Sequence, residues 1–242
     1  MQYYIFDTMI LCYKKIRIFF GDKKHAIDKS KQLLLYRQRP WQSVTDLIQA
    51  EKLFGVSQSH GINGIQITKV SDQYRSILID ADFLITNQCG YALAVNTADC
   101  VPIVLYDSGS QAVALIHAGW KGIAAGVIPV ALKKIRQIFN SNIQHIEIFI
   151  GPCARSCCYE VQADIYQLFK KIFPFCDDII HYKKDKIFLD LIACIRYQCM
   201  QDGILIENMY QQFAFCTLCS ERYCSYRREK NLLRNINAVV LY

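Results

Sequence analysis

Three residues offer this chain's clearest chemistry: His60 in Ser59-His60-Gly61, Cys100 closing Thr97-Ala98-Asp99-Cys100, and His117 opening His117-Ala118-Gly119-Trp120. Two imidazoles and one thiolate form a donor set with which a catalytic zinc keeps its fourth position open. The apolar runs Ala92–Asn96 and Ala112–Ile116 read as strands buried on both faces. Cys100 follows the first run and His117 ends the second, so both are expected at one end of neighbouring strands. Spacing alone leaves a plainer reading open. A Cys beside an apolar run commonly serves as a small core residue, an isolated His as a hydrogen-bonded one, and no tight Cys-x-x-Cys or His-x-x-x-His pair links the trio.

The elements that must position these groups follow from the apolar periods. Trp41–Leu53 carries a helical stripe, Gly64–Thr68 reads as a β segment just after His60, and Ala81–Thr86 leads into the two central runs. Gly122–Ile138 reads as a helix ending in Lys133, Lys134 and Arg136, which suits the negative end of its dipole. Its start lies close to His117, where backbone N–H groups would favour an anion such as phosphate. Ile146–Ile150 reads as a strand stopped by Gly151-Pro152, Asp164–Phe173 and Asp190–Asp202 as helices, and Asn235–Tyr242 as a closing strand. Regular alternation and a glycine fingerprint are both missing, which argues against a dinucleotide fold.

The words around the trio carry a resemblance. Asn96-Thr-Ala-Asp-Cys-Val-Pro-Ile-Val-Leu-Tyr-Asp107, Ile116-His-Ala-Gly-Trp-Lys-Gly122, Ile150-Gly-Pro-Cys-Ala-Arg-Ser-Cys-Cys-Tyr-Glu-Val161, Leu189-Asp-Leu191, Cys216-Thr-Leu-Cys219 and Cys224-Ser-Tyr-Arg-Arg228 resemble the successive blocks of the laccase-domain family. Its members were first called polyphenol oxidases and are now regarded as zinc-dependent purine nucleoside phosphorylases with adenosine deaminase activity. The likeness runs from about Gln58 to Tyr242. It implies a layered α/β domain with mixed β-sheets flanked by helices, and zinc ligands at His60, Cys100 and His117. The chain differs from the family in having Lys121 where Arg is usual and Leu233-Arg234 where a Gly-Arg pair is usual. Residues 1–52 lack the Gly-rich, Asn-Leu-containing opening, so they read as a divergent N-terminal segment of the same domain, with 53–242 as the family domain.

On this reading the substrates are purine nucleosides (adenosine or inosine, with methylthioadenosine also compatible) and phosphate. Zinc polarises water for attack on adenosine, and Asp99 and Glu160 are the carboxylates expected to move the proton. Asp99 could equally cap a turn or orient a ligand histidine. Phosphate calls for fixed positive charge, expected from Arg155, Arg227 or Arg228. One copper could occupy the trio in vitro, but five histidines, at positions 25, 60, 117, 145 and 181, are too few for a multicopper set. Two other functions stay open: a metal-free Cys–His hydrolase or deamidase using Cys100 and His117, and a non-catalytic assembly partner. Cys216-x-x-Cys219 would need two further ligands to hold a structural zinc. Cys157 and Cys158, expected on a strand, would face opposite ways and so would not share one ion.

Composition sets the outer limits. The 242 residues, 52% hydrophobic and 20% charged, can bury one sizeable core and are not divided by a Pro/Gly/Ser linker. The net charge of +7 is peripheral: residues 1–52 carry ten Lys/Arg against five Asp/Glu, and residues 133–242 carry fifteen against eleven, while the segment between them holds Cys100 and His117. Short basic runs such as Lys14–Arg17 and Lys23–His25 then read as solvated faces, and no nucleic-acid partner is expected. Twelve cysteines in a chain of this length point to the reducing cytoplasm more than to a disulfide framework. The apolar Tyr3–Tyr13 stretch is interrupted by Asp7 and followed by its basic residues, unlike a signal peptide, and neither a membrane span nor a membrane partner is expected. The sequence leaves the oligomeric state open.

Overall fold

Every residue of Val101–Asp107 and of Ala112–Ala118 is buried, and strands of that kind need cover on both faces. The computed structural model, which describes residues 10–29, 39–68, 79–175 and 177–242, supplies that cover in layers. The chain runs β1 (Ile10–Tyr13), β2 (Ile16–Phe20), β3 (Ile27–Asp28), α1 (Arg39–Leu47), β4 (Lys52–Phe54), β5 (Gly64–Gln66), β6 (Phe83–Thr86), β7 (Tyr91–Thr97), β8 (Val101–Asp107) and β9 (Ala112–Ala118). It continues with α2 (Trp120–Ala125), α3 (Val127–Phe139), β10 (Ile146–Ile150), β11 (Glu160–Val161), α4 (Ala163–Ile172), β12 (Ile180–Lys183), β13 (Lys186–Leu189), α5 (Leu191–Gln201), β14 (Met209–Tyr210), α6 (Tyr226–Glu229) and β15 (Leu233–Leu241). The Tyr3–Tyr13 stretch is described only from Ile10 onward.

Two mixed sheets stack face to face. One has the order β1-β2-β15-β7-β4, with β3 also on β15; the other runs β14-β10-β8-β9-β6-β5. Alternation along the strands divides the cores. Val104 and Tyr106 of β8 and Val113 and Leu115 of β9 meet Leu93 and Val95 of β7 and Ile18 of β2 between the sheets. Val101, Ile103 and Leu105, with Ala114 and Ile116, turn the other way onto Val127, Ala131 and Ile135 of α3 and Ile192 and Ile195 of α5. On the far side, Trp41, Val44 and Ile48 cover Ala92, Ala94, Ile236 and Ala238. The result is the layered α/β domain, with mixed sheets flanked by helices, that the resemblance implied. A small third sheet, β11-β13-β12, sits apart from the main pair.

Three local expectations change. The runs holding Cys100 and His117 are not neighbours in one sheet: β7 lies between β15 and β4, whereas β9 lies between β8 and β6. The strand that joins them is β8, paired so that Val101 faces Ala118 and Pro102 faces His117, which puts Cys100 at the same sheet end as His117. The helix expected over Gly122–Ile138 begins at Trp120 and splits at Gly126, whose φ of 84° interrupts the spiral between α2 and α3. The Trp41–Leu53 helix stops at Leu47, and after a turn through Gln49 at φ 55° the chain enters β4.

Candidate metal centre and substrate cavity

A carboxylate that the motif reading passed over, Asp82, organises the centre. It is fully buried just before β6, and its Oδ1 lies 2.8 Å from Nδ1 of His117. That bond places the proton on Nδ1 and leaves Nε2 as the donor atom, as in a histidine prepared for a metal. The same carboxylate accepts the backbone N–H of His60 at 3.0 Å and of Gly61 at 2.6 Å, and the hydroxyl of Ser59 at 3.2 Å. These bonds fix the His60 turn, where φ is 63°. The His117 N–H donates to the Asp82 carbonyl at 2.7 Å. Burial pushes the Asp82 carboxyl up, but the bond from His117 and those from the two amides outweigh it and hold it below its ordinary range.

Cys100 ends the loop between β7 and β8. The ligand atoms of His60, Cys100 and His117 all lie within 4.8 Å of one another, and the imidazole rings meet edge to face at 4.8 Å. Burial raises the Cys100 thiol, yet the two imidazoles, His117 foremost, bring it down to about 6. For His117, burial acts downward and is outweighed by the Cys100 sulfur and by Asp82, which raise it to about 9. Each group thus favours the charged form of the other, thiolate beside imidazolium, and metal binding displaces a proton from His117 when it is so charged. Gly119 keeps the centre open, because a Cβ there would sit 2.9 Å from the His60 ring and 3.1 Å from the Cys100 sulfur.

The trio opens into a cavity of about 700 Å³, within the range of small-molecule sites. Its wall repeats one device: Lys121 lies over Trp120 at 5.6 Å, Arg227 over Tyr159 at 4.5 Å and Arg234 over Tyr226 at 5.4 Å, and all six residues line the cavity. Such pairs hold a cation flat against an aromatic face. Lys29 adds a fourth positive charge, and Gln58 and Asn96 line the polar side, clipped together by two 2.8 Å bonds between the Gln58 amide and the Asn96 backbone.

The other expected residues divide. Asp99 lines the cavity, but both carboxylate oxygens are engaged, Oδ1 by the Thr217 hydroxyl and Oδ2 by the Arg227 backbone N–H, each at 2.7 Å. Arg227 also lines it, donating to the Glu160 carbonyl at 2.5 Å. Glu160 is not among the lining residues, and its carboxylate pairs with Lys186 at 2.8 Å. Arg155 and Arg228 are absent from the wall: Arg155 donates to the Ala214 carbonyl, and Arg228 donates to the carbonyls of Thr217, Leu218, Ser220 and Tyr223 and pairs with the Glu229 carboxylate at 2.8 Å. Lys29, Trp120, Tyr159 and Tyr226 went unnoticed as site residues. Lys121 and Arg234 were visible only as departures from the family's usual residues.

The remaining histidines lie elsewhere. His25 pairs with Asp22 at 3.3 Å, His181 lies 3.9 Å from Asp190, and His145 packs against Gly109. Among the described residues, the trio is the one metal-capable group that contains histidine.

Residues 20–241 match the model of the family described as multi-copper polyphenol oxidoreductase laccase. A purine nucleoside phosphorylase of Clostridium acetobutylicum is 36% identical over 154 residues, which is 63% of each chain, so this chain spans less than two thirds of that relative. The adenosine deaminase RL5, from an unknown prokaryotic organism, is 32% identical over 61% of this chain and 56% of its own. The crystal structure of the Bacillus licheniformis hypothetical protein YfiH superposes with a TM-score of 0.80 over 96% of both chains at 22% identity, a likeness of fold.

Proposed function

We propose, for a chain that belongs to the multi-copper polyphenol oxidoreductase laccase family, zinc-dependent turnover of purine nucleosides: phosphorolysis of adenosine or inosine, and deamination of adenosine. The observation that carries this reading is the trio of His60, Cys100 and His117 at the floor of a cavity walled by three cation–aromatic pairs. Relatives of this chain named purine nucleoside phosphorylase and adenosine deaminase support it. The donor set fits zinc: two ring nitrogens and one sulfur, an Asp82 bond that fixes one tautomer, and free space on the cavity side. When bound, zinc supplies Lewis acidity at the cavity floor.

The chain's own residues do the rest. The aromatic surface of Trp120 and Tyr226 left uncovered by their cations takes the purine, while Arg227, Arg234, Lys121 and Lys29 supply the positive field that phosphate needs beneath the ribose C1′. In phosphorolysis a phosphate oxygen bonds to C1′ as the C1′–N9 bond breaks. In deamination water adds at C6 and ammonia leaves. Asp99 is the carboxylate assigned to move the proton, through lone pairs left beyond its bonds to Thr217 and Arg227. A reducing compartment such as the cytoplasm belongs to the same proposal, because Cys100 must remain a thiolate.

One observation favours a second reading. The Cys100–His117 thiolate–imidazolium pair is also what a metal-free Cys–His hydrolase uses, but that chemistry leaves His60, and the hold of Asp82 on its backbone, without a task. Metal content of protein purified without chelator, measured beside product analysis on adenosine with and without phosphate, separates the two. About one zinc at the trio and phosphate-dependent release of adenine support the proposal; full activity in metal-free protein overturns it.

A further inference from the structure

Behind the Arg227 wall lies a second group of donors. Cys157, Cys158, Cys216 and Cys219 bring their four sulfurs within 4.8 Å of one another, with Cys158 and Cys157 at 2.9 and 3.5 Å from Cys219. The expectation that Cys157 and Cys158 would face opposite ways fails because residues 156–158 form a turn and not a strand. The Cys158 and Tyr159 N–H groups both donate to the Arg155 carbonyl, at 2.9 and 2.8 Å, and this curl turns both thiols to one side. Cys216-Thr-Leu-Cys219 curls likewise, with residues 217–219 in a turn.

We propose that these four cysteines form a structural zinc site that staples the 155–159 turn to the 216–219 turn. Four thiolates with no position left open are the donor set of a structural zinc, and the about 3.8 Å sulfur–sulfur edge of a tetrahedron with about 2.3 Å bonds lies between the 2.9 Å Cys158–Cys219 contact and the 4.8 Å envelope, so loading spreads the closest pair. The sulfurs stand well outside the about 2.05 Å of a disulfide. Loading breaks four S–H bonds and forms four Zn–S bonds, the four protons pass to buffer, and no sulfur changes oxidation state.

The surroundings hold both turns in place whether or not an ion is bound. Cys153 and Cys216 form a parallel bridge, with Cys153 N–H to Phe215 O at 3.0 Å and Thr217 N–H to Cys153 O at 2.9 Å. The Arg228 guanidinium gathers the carbonyls of Thr217, Leu218 and Ser220 around the second turn. Tyr159, which carries Arg227 on its ring, follows Cys158 directly. Through Thr217, the second turn bonds to Asp99, the neighbour of Cys100. The staple would therefore stiffen one wall of the cavity without touching substrate.

The test uses the whole chain loaded with zinc alone. Wild-type protein should hold about two zinc ions, Cys100→Ala about one, Cys219→Ser about one, and the double variant about none. Under zinc loading, a Cys100→Ala protein with no bound metal, or a Cys219→Ser protein that still holds two, overturns the site. Should Cys219→Ser fail to fold, wild-type protein decides. Protection of these four thiols from alkylation until chelator is added supports the site, whereas a mass deficit of two or four hydrogens in the freshly isolated protein shows disulfides and overturns it. Because Cys100→Ala removes the trio, metal retained there supports the staple even if the proposed nucleoside chemistry fails.

Discussion

The two sulfur clusters of this chain differ in one respect that separates chemistry from scaffolding. At the trio three donors converge on one side and a cavity of about 700 Å³ occupies the other; at the four cysteines every position of a tetrahedron is filled by protein. Their supports differ to match. Asp82 reaches His117 through its side chain and His60 through its backbone, so a carboxylate tunes the donors as well as placing them. The second cluster is held through backbone groups: Cys153 bridges to Cys216, Arg155 reaches the Ala214 carbonyl, and Arg228 reaches those of Thr217, Leu218 and Ser220. Those are two of the arginines that the sequence offered as phosphate ligands. A guanidinium near a site is informative only once its donors have been accounted for.

The largest expected effect is at the trio. Cys100→Ala should lose the trio's zinc, and turnover of adenosine should fall to the uncatalysed background, by elemental and product analysis; retained turnover would break the contrast between the clusters. Asp82→Asn keeps all three donors but removes the carboxylate charge that faces His117, and should weaken zinc binding by about 10–100-fold in chelator competition. Arg227→Ala should lower phosphorolysis by roughly ten- to a hundredfold, the loss of a charge-assisted contact of about 1.5–3 kcal/mol. Arg228→Ala should instead leave kcat/KM within a few-fold and lower Tm by several degrees. Equal effects of these two variants on phosphorolysis would erase the assigned division between wall and scaffold.

A pH experiment sharpens the same contrast. In chelator-treated protein the Cys100 thiolate should be populated above about pH 6, whereas burial pushes Cys157 up to about 11. Alkylation at pH 7 should therefore label Cys100 first, and His117→Gln should move its midpoint back toward the ordinary thiol value. Reversed order of labelling contradicts the electrostatic picture. The smallest effect belongs to Gly126→Ala, which forces a side chain into φ 84° and should cost about 1 kcal/mol in a denaturant titration, with both metal centres intact.

Much of the trio was legible because ligand chemistry is local: a His after Ser, a Cys closing a loop and a His ending an apolar run keep their identity wherever the strands go. How they converge was less legible. Pro102, inside Val101–Asp107, weakens the strand signal of the very segment that joins Cys100 to His117, and continuous burial cannot say which sheet a run enters. Asp82 lies 22 and 35 residues from its two partners, with no motif to link them. The alternating apolar strands and helical stripes announced a layered α/β chain, yet Gly126, a single φ, decided that one expected helix would be two.

The place of β15 carries a consequence for synthesis. The last strand in sequence lies in the middle of its sheet, with β2 on one side and β7 on the other. The hairpin β1–β2, synthesised well before β15, cannot join that sheet until Leu233–Leu241 emerges, whereas β6, β8, β9 and β10 come from one continuous stretch and can pair much earlier. A nascent chain lacking β15 exposes two unpaired strand edges flanked by apolar residues, a surface that recruits chaperones or other copies. Pairing of β1 and β2 into this sheet thus waits on β15, the strand that joins them to β7.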